Sequence, residues 1–146
     1  MTAPRTAAVV FAAAFAADLL LKAFVVAHED AVTVVYNAKA GRYGDRLVLS
    51  AVALVAAYGL ARAARWRGYG EVWGVWIGAA LLVAGVLANG VSRFLWARGV
   101  PDFIFAGDHI WNLADFMIGI GMTGGILSLF PTALFAYVRQ KLLARA

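Results

Sequence analysis

Trp111-Asn112-Leu113-Ala114-Asp115-Phe116-Met117-Ile118-Gly119-Ile120-Gly121 sets an asparagine and an aspartate three residues apart at the head of an apolar run that continues to Val138. A spacing of three puts both side chains on one helix face, and a carboxylate in a first turn is stabilised by the unpaired backbone N–H groups there. As a helix, a run of this length crosses the hydrocarbon core of a bilayer, which takes roughly 20 residues. A second carboxylate, Asp102, precedes it in Val100-Pro101-Asp102-Phe103-Ile104. An acid at a membrane edge is costly unless a neighbour takes its charge or its proton, so two of them point to acid/base chemistry.

Composition places the chain in the same class. Of its 146 residues, 64% are hydrophobic and 14% charged, and the mean hydropathy is +0.80. That balance belongs to an integral membrane protein. The absence of cysteine excludes disulfides, thiolate catalysis and cysteine-based metal sites. The net charge of +5 does not mark a nucleic-acid protein, because the basic residues gather at helix ends and form no continuous patch interleaved with aromatics.

Four stretches have the length and apolarity of membrane spans: 7–27, 47–64, 72–91 and 116–138. The second is short, since Arg46 and Arg62 bracket its apolar core, and it relies on snorkelling arginines or local thinning of the bilayer. Pro131 is expected to kink the fourth. Four spans put both termini on one side. Arg5, Arg62, Arg65, Arg67, Arg139, Lys141 and Arg145 lie on that side with Glu71 the nearby acid. Lys39, Arg42, Arg46, Arg93 and Arg98 on the other side are offset by Glu29, Asp30, Asp45, Asp102 and Asp108. The excess of basic residues assigns the termini to the cytoplasm and Asp102 and Asp115 to the outer, periplasmic side. Residues 1–18 also resemble a signal peptide, with Ala14-Phe15-Ala16 as a small-residue cleavage site. The apolar stretch runs on through Val26, and cleavage would leave an odd number of spans, so the segment reads as a retained first helix.

The two outer connections can hold a small sheet. Ala31 to Tyr36 is a β-branched run and reads as a short strand, and the aromatic-rich segment 94–110, broken by Gly99, Pro101 and Gly107, supplies partner strands. The expected fold is a single all-α membrane domain, residues 1–146, of four transmembrane helices with a small extracytoplasmic β element.

Polar residues recur at helical spacing. Asp18 and Lys22 are four apart in the first span, where they can neutralise one another as a structural ion pair inside the bundle. Asn89 and Arg93 repeat that spacing at the outer end of the third span. There the guanidinium can hold a carbonyl or carboxylate, or serve as an interfacial anchor. His28 and His109 have no metal-ligand spacing, so no metal is expected.

These pieces, in this order, resemble the lipoprotein signal peptidases, the type II signal peptidases of bacteria. Asp18-x-x-x-Lys22 is similar to the family's first-helix motif, and Tyr36-Asn37-Ala38-Lys39-Ala40-Gly41-Arg42-Tyr43-Gly44 is a loose counterpart of its asparagine-containing outer segment. Ala84-Gly85-Val86-Leu87-Ala88-Asn89-Gly90-Val91-Ser92-Arg93 followed by Val100-Pro101-Asp102-Phe103 resembles its third-helix pattern, with Ser92 where the family usually has aspartate. The segment from Trp111 to Gly121 is the strongest match.

The resemblance implies an aspartyl endopeptidase of the bacterial inner membrane that removes the signal peptide of diacylglyceryl-modified prolipoproteins immediately before the modified cysteine. It assigns Asp102 and Asp115 to a catalytic dyad. Asn37, Asn89, Arg93 and Asn112 would line the site and bind the substrate backbone, with Asp18 and Lys22 as scaffold. No cofactor, metal or nucleic acid is implied. The partners are the lipidated precursor and membrane lipid, and the protein is expected to be a monomer. Two other readings use the same residues: an inactive homologue that binds lipidated peptides, and a small proton-coupled transporter subunit in which the acids form a relay.

Overall fold

In the computed structural model, residues 2–38, 43–66 and 72–143 are described. Lys39, Gly41, Arg42, Arg67, Glu71 and Arg145, which enter the strand boundary, the asparagine segment and the charge balance above, lie outside the described residues. The elements run α1 (Ala3–Ala27), β1 (Val35–Asn37), α2 (Tyr43–Trp66), α3 (Trp73–Leu95), β2 (Val100–Asp102), β3 (Ile104–Ala106), β4 (His109–Trp111), α4 (Leu113–Leu127) and α5 (Leu129–Leu143).

Among the described residues, α1, α3 and the run Leu113–Leu142 are long and apolar enough to cross a membrane. The burial of α1 is inverted relative to a water-soluble protein. On α1, Asp18 and Lys22 are fully buried while Leu20 is 71% and Phe24 57% exposed. Charge inside and leucine outside is the favourable arrangement where the surroundings are hydrocarbon.

Helix α3 is the centre of the bundle and packs against α1, α2 and α4. Its buried positions are dominated by small residues, among them Gly78, Ala79, Ala80, Ala84, Gly85 and Ala88. Small side chains let helix backbones approach, the main source of packing energy between helices in lipid. A Cβ at Gly78 would lie 2.6 Å from the Gly121 carbonyl oxygen of α4, and one at Gly85 would collide with the Ala114 carbonyl. Seven residues, two turns, separate these contacts on α3. Asn89, one turn beyond Gly85, is thereby carried to the first turn of α4.

The fourth apolar stretch is interrupted. Helix α4 ends at Leu127 and is capped by Ser128, whose N–H bonds back to Gly124, and α5 begins at Leu129. Pro131 lacks an N–H for the Leu127 carbonyl and its ring crowds that carbonyl, so the expected irregularity falls one turn before the proline.

The β structure lies where α1 and α3 end and α4 begins. β1 pairs antiparallel with β2, Val35 opposite Asp102 and Asn37 opposite Val100. β3 and β4 form a hairpin whose two-residue loop starts at Gly107, at φ +59°. The strand expected over Ala31 to Tyr36 is shorter and lies further on. Ala31 and Val32 instead turn back to the His28 carbonyl, and β2 offers only three residues to pair with.

Candidate functional site

Six polar side chains from α1, α3, α4 and the β2 connection form one continuous hydrogen-bonded chain. At its inner end Asp18 and Lys22, one turn apart on α1, form an ion pair with Oδ2 and Nζ 2.7 Å apart. Asp18 Oδ1 accepts from the Ala114 backbone N–H of α4 at 2.8 Å, which places the carboxylate at a helix N-terminus. The ammonium also donates to Asn89 Oδ1 of α3 at 2.7 Å. Asn89 turns its other end to α4, where Nδ2 donates to Asp115 Oδ1 at 3.0 Å.

Asn112 closes the chain. Its Oδ1 accepts from the Asp115 N–H at 3.2 Å, and Asp115 Oδ2 accepts from the Asn112 N–H at 3.1 Å. This reciprocal cap satisfies donors that the first turn of α4 would leave unpaired. With its carbonyl so used, the Asn112 amide nitrogen is free to donate elsewhere, and it does so to Asp102 Oδ1 at 2.5 Å. One asparagine thus touches both aspartates.

Asp102 is 5% exposed. Burial pushes its carboxyl above the usual carboxylate range and the Asp115 charge pushes the same way, while hydrogen bonds from Asn112 and Asn37 and the Lys22 charge oppose them. Asn37 reaches Asp102 because Val35, Asn37, Val100 and Asp102 project from one face of the β1–β2 ladder. Pro101, between the two inward residues, has no N–H to leave unpaired.

Arg93 stands outside this chain. One turn beyond Asn89, it is exposed and donates from Nη1 to the Ala38 carbonyl at 2.7 Å, tying the end of α3 to the chain just after β1. Ser92 is fully buried and its hydroxyl bonds back to the Ala88 carbonyl at 2.6 Å within α3.

A cluster that the sequence reading did not single out links the two outer connections. Arg98 Nη2 lies 2.6 Å from Glu29 Oε2 and 2.7 Å from the Tyr36 hydroxyl, which itself donates to Glu29 at 3.0 Å. The guanidinium also sits over the Tyr36 ring, 4.0 Å from its centroid. The sequence signal is faint: an acid and an arginine in loops and a tyrosine in β1, with the two charges 69 positions apart.

Beside Asp115 a cleft of about 480 Å³ opens between α4 and the β3–β4 hairpin, lined by His109, Trp111, Phe116, Ile120 and Thr123 among others. Its lining is mostly apolar, with His109, Thr123 and Asp115 as the polar members. Such a cleft can hold an apolar group of a ligand with a polar bond close to Asp115.

A family model described as signal peptidase (SPase) II matches residues 10–131. The match takes in every member of the hydrogen-bonded chain. No curated protein matches the chain significantly.

Proposed function

We propose that this chain, which belongs to the signal peptidase II family, is an aspartyl endopeptidase that removes the signal peptide of a prolipoprotein immediately before its diacylglyceryl-modified cysteine, with Asp102 and Asp115 as the catalytic pair. The observation that carries the reading is Asn112, whose side-chain amide donates to the Asp102 carboxylate and whose backbone N–H donates to the Asp115 carboxylate. Two like charges in a site of low dielectric do not both ionise readily, so the pair holds one carboxylate and one carboxyl. The carboxylate takes a proton from water, and the carboxyl polarises the scissile carbonyl.

Asn112 and Asn37 orient Asp102, and Asn89 orients Asp115. Arg93 holds the backbone at Ala38 beside Asn37 and presents its exposed guanidinium to the substrate backbone. The protein crosses the inner membrane four times, with α2 as the second crossing, both termini in the cytoplasm and the carboxylates near the periplasmic surface. Acyl chains on the substrate cysteine then remain among lipid and in the cleft beside Asp115, each buried CH₂ contributing about 0.8 kcal/mol.

The test is cleavage by purified protein of a precursor with and without its diacylglyceryl group, read by mass spectrometry. The lipidated precursor is cut before its cysteine and the unmodified one is not. Asp102→Asn and Asp115→Asn each abolish the cut while the protein stays folded. Near-normal turnover in both variants would overturn the dyad, and equal cleavage of both precursors would overturn lipid recognition.

A further inference from the structure

The hydrogen-bonded chain is not symmetric between its two acids. Asp115 receives Asn89 on one oxygen and the Asn112 N–H on the other, stands in the first turn of α4, and is half-buried. Through Asn89 it is one side chain away from the fully buried ammonium of Lys22. Asp102 lies at the far end, beyond Asn112, and is nearly fully buried in the β2 connection. Asp115 thus accepts two amide hydrogen bonds at a helix N-terminus, with an ammonium one side chain away. Desolvation disfavours a negative charge on Asp102.

We propose that Asp115 is the carboxylate that activates water, that Asp102 is the carboxyl that donates to the scissile carbonyl, and that Lys22 is the positioning residue that fixes this division through Asn89. The assignment rests on the dyad proposed above. In the first step Asp115 takes a proton from water, the water oxygen bonds to the carbonyl carbon, and the carbonyl oxygen takes the Asp102 proton. In the second, Asp115 returns its proton to the leaving amide nitrogen as the C–N bond breaks. The hydrated carbon then gives a hydroxyl proton back to Asp102, which restores both starting states.

The titratable groups that face Asp115 are Asp18 and Lys22 from α1, Asp102 from β2 and His109 across the cleft from β4. Helix α3 contributes Asn89, its Arg93 being turned to Ala38. Of these, Lys22 is the cation held within the hydrogen-bonded chain.

The experiment is the pH profile of kcat/KM for the lipidated precursor in wild-type protein and in Lys22→Gln. The Asp18→Asn/Lys22→Gln double variant is run beside it, because it leaves no buried charge unpaired and so guards against misfolding. The acidic limb reports the acid that ionises first and acts as base. Loss of the ammonium moves the acidic limb to higher pH by more than it moves the alkaline limb, which Lys22 also reaches through its charge on Asp102. Wild-type cleavage is the reference, and it tests the reaction separately from this assignment. With that cleavage intact, movement of the alkaline limb alone, equal movement of both limbs, or a lower rate with an unmoved profile would each overturn it. The last result would make Lys22 merely structural.

Discussion

Asn112 donates to Asp102 at 2.5 Å across ten residues of chain, and it can do so because its carbonyl end is occupied in capping α4. Helix initiation and the placement of an acid are therefore one structural event. Replacing Asn112 by alanine removes a cap, about 1 kcal/mol, and a donor to a buried carboxyl, about 1–3 kcal/mol. Asn112→Ser restores the cap but not the reach to Asp102. Serine is thus expected to recover part of the lost thermal stability while cleavage in both variants stays at least ~100-fold down. Recovery of activity with the serine cap would show that Asp102 does not depend on this bond.

A group held for chemistry is often poorly solvated, and Asp102 should carry that penalty. Its folded-state pKa is raised by burial above its unfolded value, so the folded protein binds the extra proton. The sign follows: stability is full below the unfolded value and falls as pH rises toward the folded one. Asp102→Asn has no charge to desolvate. Its melting temperature should match or exceed that of wild type, and the gap should widen from acid to neutral pH by roughly 2–4 °C per kcal/mol of relief. A gap that narrowed with rising pH would show that the ionised form of Asp102 is the better stabilised one.

Much of the site is legible in local spacing, because neighbours on one helix face are set by the helical repeat. Asp18 with Lys22 and Asn112 with Asp115 are such pairs. What spacing cannot carry is the direction of a face. Asn89 and Arg93 are also four apart, yet Asn89 turns inward to Lys22 and Asp115 while Arg93 turns out to Ala38. That choice depends on the seam at Gly78 and Gly85, where α3 and α4 approach. Strand length was equally hidden, since β1 extends only as far as β2 pairs with it. The Glu29–Arg98 contact joins loops far apart in sequence, and only the meeting of α1 and α3 ends creates it.

That contact should act as a latch on the β1 connection. The Arg98 guanidinium and the Tyr36 hydroxyl hold the Glu29 carboxyl below its ordinary range. A depressed folded pKa means that the contribution is present at neutral pH and is lost as pH falls through the carboxylate range toward the folded value. The melting temperature of Glu29→Gln should therefore lie slightly below wild type at neutral pH and converge on it below about pH 4. Both partners are substantially exposed, so the difference is small and diminishes in high salt. A difference unchanged by both acid and salt would mean that the contact is not electrostatic.

Gly99 is the point at which the backbone itself limits the site. It has φ +121°, and a Cβ there would lie 2.8 Å from both the carbonyl carbon and oxygen of Asn37 and 2.9 Å from the Ala38 nitrogen. Those are backbone atoms of β1 and its exit, so relief requires β1 to move away from β2, taking Asn37 from Asp102. Gly107 provides the comparison: its φ is +59°, and nothing lies within 4 Å of a built Cβ. Gly107→Ala bears only the left-handed backbone penalty, about 1–2 kcal/mol, and should cleave at close to the wild-type rate. Gly99→Ala adds a steric clash to strain of about 1–3 kcal/mol, and the displaced acid should reduce cleavage by about 100-fold, as misplacement of a reacting group by 1 Å does. Equal activity of the two alanine variants would show that the β1–β2 approach at Gly99 does not position Asp102.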